Sequence, residues 1–90
     1  MSRFEVQVEV SLRPGIADPE GATIERTLPA LGFEGVTGVQ MGKSIRFDIE
    51  AVDEKTATEQ VAAMCERFLT NPVIEGSAIS VRAAEGAARS

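Results

Sequence analysis

The chain has no histidine, tryptophan or tyrosine, and one cysteine among its 90 residues. Without histidine it can build neither a Ser-His nor a Cys-His nucleophile pair, and no imidazole metal ligand. Asp, Glu and Lys do acid–base work only where burial tunes them, and most of them here fall at alternating, solvent-side positions. An independent active site is therefore not expected. A single cysteine allows no intramolecular disulfide, which suits a reducing compartment. Positive charge is scarce: nine Lys and Arg stand against fourteen Asp and Glu, for a net charge of −5. That balance opposes nucleic-acid binding, which depends on neutralising phosphates, and no aromatics are placed to stack RNA bases. No run approaches the roughly 18 apolar residues of a membrane span. The N-terminus enters an alternating strand at once, with no apolar signal-peptide core. A soluble, cytoplasmic protein is expected.

What is present is patterning. Phe4, Val6, Val8, Val10 and Leu12 alternate with Glu5, Gln7, Glu9, Ser11 and Arg13, a strand with one buried face. Pro14-Gly15 breaks it. Asp18-Pro19-Glu20 is a helix start: Asp18 caps free N–H groups, Pro19 suits the first helical position, and Glu20 meets the positive end of the dipole. Ile24, Leu28 and Leu31 share one face, and Gly32 ends the helix with Phe33 folding back on it. Pro29 removes the hydrogen bond to the Glu25 carbonyl, which predicts a bent or shortened helix. Val36–Met41, Gly42-Lys43 and Ser44–Glu50 read as a β-hairpin with Gly38 interrupting its first arm, or else as one long bent strand.

Asp53-Glu54 opens a second helix, whose stripe is Ala57, Val61, Met64, Cys65 and Phe68, widened by Leu69. Cys65 on that stripe reads as packing, because a thiol in apolar surroundings is inert. Asn71-Pro72 stops the helix, and Ile74–Val81 is the last strand. Residues 1–83 thus form one domain, and 84–90, which lack alternation, a flexible tail. The order βαββαβ with short connections predicts an α+β, ferredoxin-like two-layer sandwich, with both helices on one face of an antiparallel sheet. The other face, with Glu5, Gln7, Glu9, Arg46, Asp48, Glu50 and Arg82, is polar: either solvated or a contact between copies.

Among the short motifs, Gly42-Lys43-Ser44 is no phosphate loop, because no glycine stands five residues before Gly42 and no helix follows. Lys43 reads as a turn lysine or as a contact to another protein. Gly21 in a first helical turn is unfavourable by up to about 1 kcal/mol relative to Ala, which points to a close backbone approach at that position, as by another subunit.

Four segments in order resemble the PurS family, the small subunit of multi-subunit formylglycinamidine ribonucleotide (FGAM) synthetase. They are Ser11–Gly21, Leu31-Gly32-Phe33-Glu34-Gly35-Val36, Val39-Gln40-Met41-Gly42-Lys43 and Met64–Glu75. The resemblance runs from about Phe4 to Val81, with departures at Pro29, Thr37-Gly38 and Gly76-Ser77. It implies a non-catalytic subunit of a glutamine- and ATP-dependent carbon–nitrogen ligase in purine biosynthesis. Such a subunit pairs with itself and bridges a glutaminase subunit and a large synthetase subunit, with a part in ammonia transfer. ATP and Mg²⁺ then belong to the large subunit, and no cofactor or metal to this one. Asp18, Pro19, Gly21, Gly42, Lys43, Asn71, Pro72 and Glu75, all at loops or element ends, are the expected subunit-interface residues. The rival expectation is an amino-acid-sensing module of the ACT type, which shares the βαββαβ order.

Overall fold

A computed structural model describes residues 1–84, and its sheet is organised by the first strand. Ser2–Leu12 form β1, in which Phe4, Val6, Val8 and Val10 all turn to one buried face. β1 is the centre of a three-stranded antiparallel sheet of order β2-β1-β3, flanked by β2 (Gly42–Ala51) and β3 (Glu75–Ala83). The register aligns apolar residues in rows across all three strands. Val6 lies between Phe47 and Val81, and Val8 between Ile45 and Ile79. A slip of one residue would turn every one of these side chains to the polar face.

α2 (Glu54–Met64) begins where Asp53 accepts the Thr56 N–H at 2.8 Å, the cap the sequence announces. Val61 and Cys65 bury against the sheet beside Val6, Val8 and Val10, with Ile79, Val81, Ile45 and Phe47 closing that core, while Ala57 buries beside Phe4 and Ala51. The stripe departs from expectation at Phe68, which is 86% exposed while Leu69 packs on the core. Cys65–Leu69 form a single π-helical turn. Its wider winding rotates the residue three beyond Cys65 off the core and brings the residue four beyond it onto the core. A 3.6-residue period carried past Cys65 picks the wrong side chain.

α1 (Pro19–Thr27) is shorter than its apolar spacing suggests. Pro29 ends it early: Leu28–Leu31 tighten into a 3₁₀ turn, and Gly32, at φ 96°, caps the turn in the left-handed region glycine tolerates. The Phe33 N–H closes onto the Leu28 carbonyl at 3.0 Å, but its ring stays exposed. Gly21 is the only buried residue of α1. Ile24, Leu31 and Phe33 are left facing outward.

The α+β, two-layer antiparallel class stands, but the expected first hairpin arm is not a strand. Residues 36–41 run as irregular chain, with Gly35 and Gly38 at φ 84° and 72°. Gly42-Lys43 is no turn: both lie inside β2, opposite Ser11 and Val10. The backbone of 39–41 is instead taken up by α1, as described below. Of the expected tail, Ala84 still donates its N–H to the Arg3 carbonyl at 3.0 Å, and the remainder lies outside the described residues.

The radius of gyration is 17.2 Å, with extents of 52 × 33 × 15 Å, against about 12 Å for a close-packed chain of this length.

Phe68 and Leu69 separate the two phasings of the helix end. Phe68→Ala should change stability by less than about 0.5 kcal/mol, whereas Leu69→Ala should lower it by about 2 kcal/mol, both by urea unfolding. The reverse order would mean that the helix continues as α through residue 68.

Candidate functional site

The inner face of the sheet changes character beyond Val10. α2 covers the rows of Phe4 to Val10. The last two rows are Lys43–Val10–Ser77 and Leu12–Glu75, and they lie under the N-terminus of α1. Val10, Leu12, Lys43 and Glu75 of these rows, with Asp18, Pro19, Glu20, Met41 and Gly42, line a cleft of ≈ 270 Å³. Five of the eight residues expected at a subunit interface, Asp18, Pro19, Gly42, Lys43 and Glu75, line this cleft. Gly21 and Asn71 bond to its lining residues Asp18 and Glu75, whereas Pro72 bonds to Arg13.

Carboxylates organise this end of the molecule. Asp18 caps α1 through Oδ1, which accepts the Gly21 N–H at 3.0 Å, and through Oδ2 it accepts the Met41 N–H at 2.9 Å. The two backbone bonds, that of Met41 first, hold its carboxyl below the ordinary value. Glu75 reaches two ways. Oε1 accepts the Asn71 N–H at 2.8 Å, and Oε2 lies 3.5 Å from Lys43 Nζ, diagonally across β1. Its pKa is lowered chiefly by the Asn71 amide, and less by the charge of Lys43. The Lys43 side chain is 61% exposed and that of Glu75 15%. Lys43 therefore offers further N–H donors to a neighbour while Glu75 holds it over the sheet.

Two of the glycines have internal reasons. A Cβ on Gly21 would stand 2.7 Å from the Val39 carbonyl oxygen and 2.6 Å from Asp18 Oδ2. The close approach anticipated at Gly21 is thus made by this chain's own backbone, not by another subunit. A Cβ on Gly42 would stand 2.8 Å from the Val10 carbonyl oxygen, so β2 meets β1 there only without a side chain. Asn71 shapes the turn into β3: its carbonyl accepts the Ile74 and Glu75 N–H groups at 3.1 and 2.8 Å, and its Oδ1 the Val73 N–H at 3.2 Å.

Sequence reasoning missed two members. Arg13 donates from Nε to the Pro72 carbonyl at 2.9 Å, and its backbone N–H to the Ile74 carbonyl at 2.8 Å, pinning the turn before β3 to the end of β1. Glu25 Oε1 accepts the Val39 N–H at 3.0 Å. Its spacing of seven from Asp18 puts it on the same helical face, the one signal by which it was findable.

Chemically the cleft is built to hold its own backbone and to present Lys43. Asp18 and Glu75 accept backbone amides and are held below their ordinary values, away from the range useful to a general base. The amide of Gly21 at the α1 terminus is already used by Asp18, which leaves no free nest for a phosphate there. Among the described residues, no group of three or more Cys, Asp or Glu is arranged to hold a metal ion. No helix there is long and apolar enough to cross a membrane. On the outer face, Arg82 pairs with Glu5 at 2.8 Å, and Gln7 Nε2 donates to Ser44 Oγ at 3.0 Å.

Residues 5–83 match the family model "PurS: Phosphoribosylformylglycinamidine (FGAM) synthase". The chain is 40% identical over 84 residues to the phosphoribosylformylglycinamidine synthase subunit PurS of Synechocystis sp., covering 93% of this chain and 84% of the relative. In structure it is similar to Methanocaldococcus jannaschii PurS, one of the subunits of formylglycinamide ribonucleotide amidotransferase in the purine biosynthetic pathway. There the TM-score is 0.82 at 39% identity, over 91% of this chain and 99% of the other. A chain in the structure of PurLQS from Thermotoga maritima aligns with a TM-score of 0.84 at 35% identity, over 91% and 100% of the two chains.

The amide-bonded carboxylates carry a pH signature. Asp18, Asp53 and Glu75 all have lowered pKa values in the folded chain. The folded state thus favours their ionised forms, a stabilisation present above the unfolded carboxylate range and lost as pH falls through the depressed folded values. The melting temperature should be level above about pH 5 and fall below about pH 4. Asp18→Asn with Glu75→Gln should flatten that fall; an unchanged acid limb would show that these bonds do not form.

Proposed function

The chain belongs to the PurS family of FGAM synthase, and from that premise we propose that it is the small bridging subunit of the glutamine- and ATP-dependent complex in purine biosynthesis. In this reading a glutaminase subunit releases ammonia and a large subunit uses it, with ATP and Mg²⁺, to convert the formylglycinamide nucleotide to the amidine. This chain contributes assembly, with a part in ammonia transfer, in the cytoplasm. The observation that carries the reading is the alignment, at a TM-score of 0.84 over 91% of the chain, with a component of the Thermotoga maritima PurLQS structure. The chemistry of the chain agrees with a non-catalytic role. It has no histidine, its one thiol is buried, and Asp18 and Glu75 in the cleft are committed to backbone amides. An amino-acid sensor is not favoured, since the family model and the relatives compared are all PurS.

The partner set includes a second copy of the chain. The elongated shape and the exposed Ile24, Leu31 and Phe33 of the α1 region describe a chain that has not buried its apolar surface alone, a condition that association relieves. The cleft and its rim, with Lys43 as the exposed cation, are the proposed contact to the larger subunits.

Glutamine-dependent FGAM synthesis by the glutaminase and large subunits, measured with and without this protein, tests the role. Activity should depend on its addition; full activity in its absence would remove the bridging function. In the same assay, Lys43→Ala should raise the concentration of this protein needed for half-maximal rate. Because the lysine end of the ion pair is exposed and Glu75 keeps its bond to the Asn71 amide, that change should lower stability by less than about 1 kcal/mol.

A further inference from the structure

α1 is joined to the sheet by very little apolar contact, yet its place is defined. Two side-chain hydrogen bonds fix it to the segment that leads into β2: Asp18 Oδ2 to the Met41 N–H at 2.9 Å, and Glu25 Oε1 to the Val39 N–H at 3.0 Å. Residues 39 and 41 thus both turn their N–H donors toward α1. On a helix, residues seven apart share a face, so Asp18 and Glu25 offer their acceptors to one side. The pairing runs antiparallel, the earlier helix residue meeting the later chain residue. Between the two bonds, Gly21 lets the Val39 carbonyl oxygen come within 2.7 Å of where a Cβ would be, so backbone lies directly on backbone.

We infer that Asp18 and Glu25 form a two-point latch that seats residues 39–41 along α1, and that they are positioning residues for assembly of the complex. The latch has a consequence for the fold. The donors of Val39 and Met41 are the ones a fourth strand would use, and while carboxylates hold them the segment stays out of the sheet. β2 then remains an edge strand, and α1 projects with Ile24, Leu31 and Phe33 exposed. The angle of that projection is what a partner meets. The inference rests on the assembly role proposed above.

Glu25→Ala isolates the latch, because alanine favours the helix at least as well as glutamate and leaves the Asp18 cap in place. Amide hydrogen exchange on the isolated protein should show the Val39 N–H losing about tenfold in protection, as expected for one lost hydrogen bond, with the Val6 and Val8 amides of β1 unchanged. In the reconstituted FGAM synthesis assay, the same variant should need about fivefold or more protein for half-maximal rate, the size expected when a positioning contact is lost. Glu25→Gln, which keeps an acceptor oxygen, should restore both. Unchanged Val39 exchange in Glu25→Ala would overturn the latch. Lost protection with an unchanged half-maximal concentration would overturn its role in assembly. If the wild-type protein itself gave no stimulation, the assembly reading would fail, while the exchange data would still decide whether the latch exists.

Discussion

The capture of two backbone amides by two carboxylates is the constraint on which the rest of this structure depends. Val39-Gln40-Met41 has the apolar alternation of a strand, but the donors of Val39 and Met41 go to Glu25 and Asp18. A ferredoxin-like sheet is completed by a strand at the outer edge of β2; among the described residues none takes that position. α1 is drawn toward the lead-in of β2 instead of lying down over Ile45, Phe47 and Ile49. Those three residues stay half-buried, and the chain is long and thin.

The same device recurs at smaller scale. Asp53 starts α2 by accepting the Thr56 N–H, and Glu75 closes the turn before β3 by accepting that of Asn71. An acidic chain of this size can use its excess carboxylates as backbone acceptors at element ends, where each bond to an ionised group is stronger than a neutral one. The acid chemistry that an enzyme would reserve for a substrate is spent on architecture. That use agrees with a subunit whose contribution is to join two catalytic partners.

Legibility from sequence followed the range of the interaction. β1 was readable because alternation is a property of neighbouring residues, and Asp18 and Asp53 because a cap acts within three positions. Gly32 as a helix terminator was readable for the same reason. The clustering of Asp18, Lys43 and Glu75 was anticipated only as a list of element ends; the β1 registers that bring them together are long-range. Residues 36–41 were misread as a strand because nothing local reveals that Glu25, fourteen residues away from Val39, takes the amide. Phe68 was misread because a single π turn shifts the phase of a helix without altering its composition. Gly21 was rightly flagged as a close approach, but its neighbour, the Val39 carbonyl, belongs to this chain.

We propose that the apolar surface left exposed around α1 is covered by a second copy of the chain. Sedimentation equilibrium of the isolated protein at micromolar concentration tests it most directly. The account requires a mass of at least two chains, each of 9.6 kDa, with dissociation only on dilution or when the α1 face is altered by Leu31→Glu. A monomer throughout that range, stable and with its α1 face open to solvent, would contradict it.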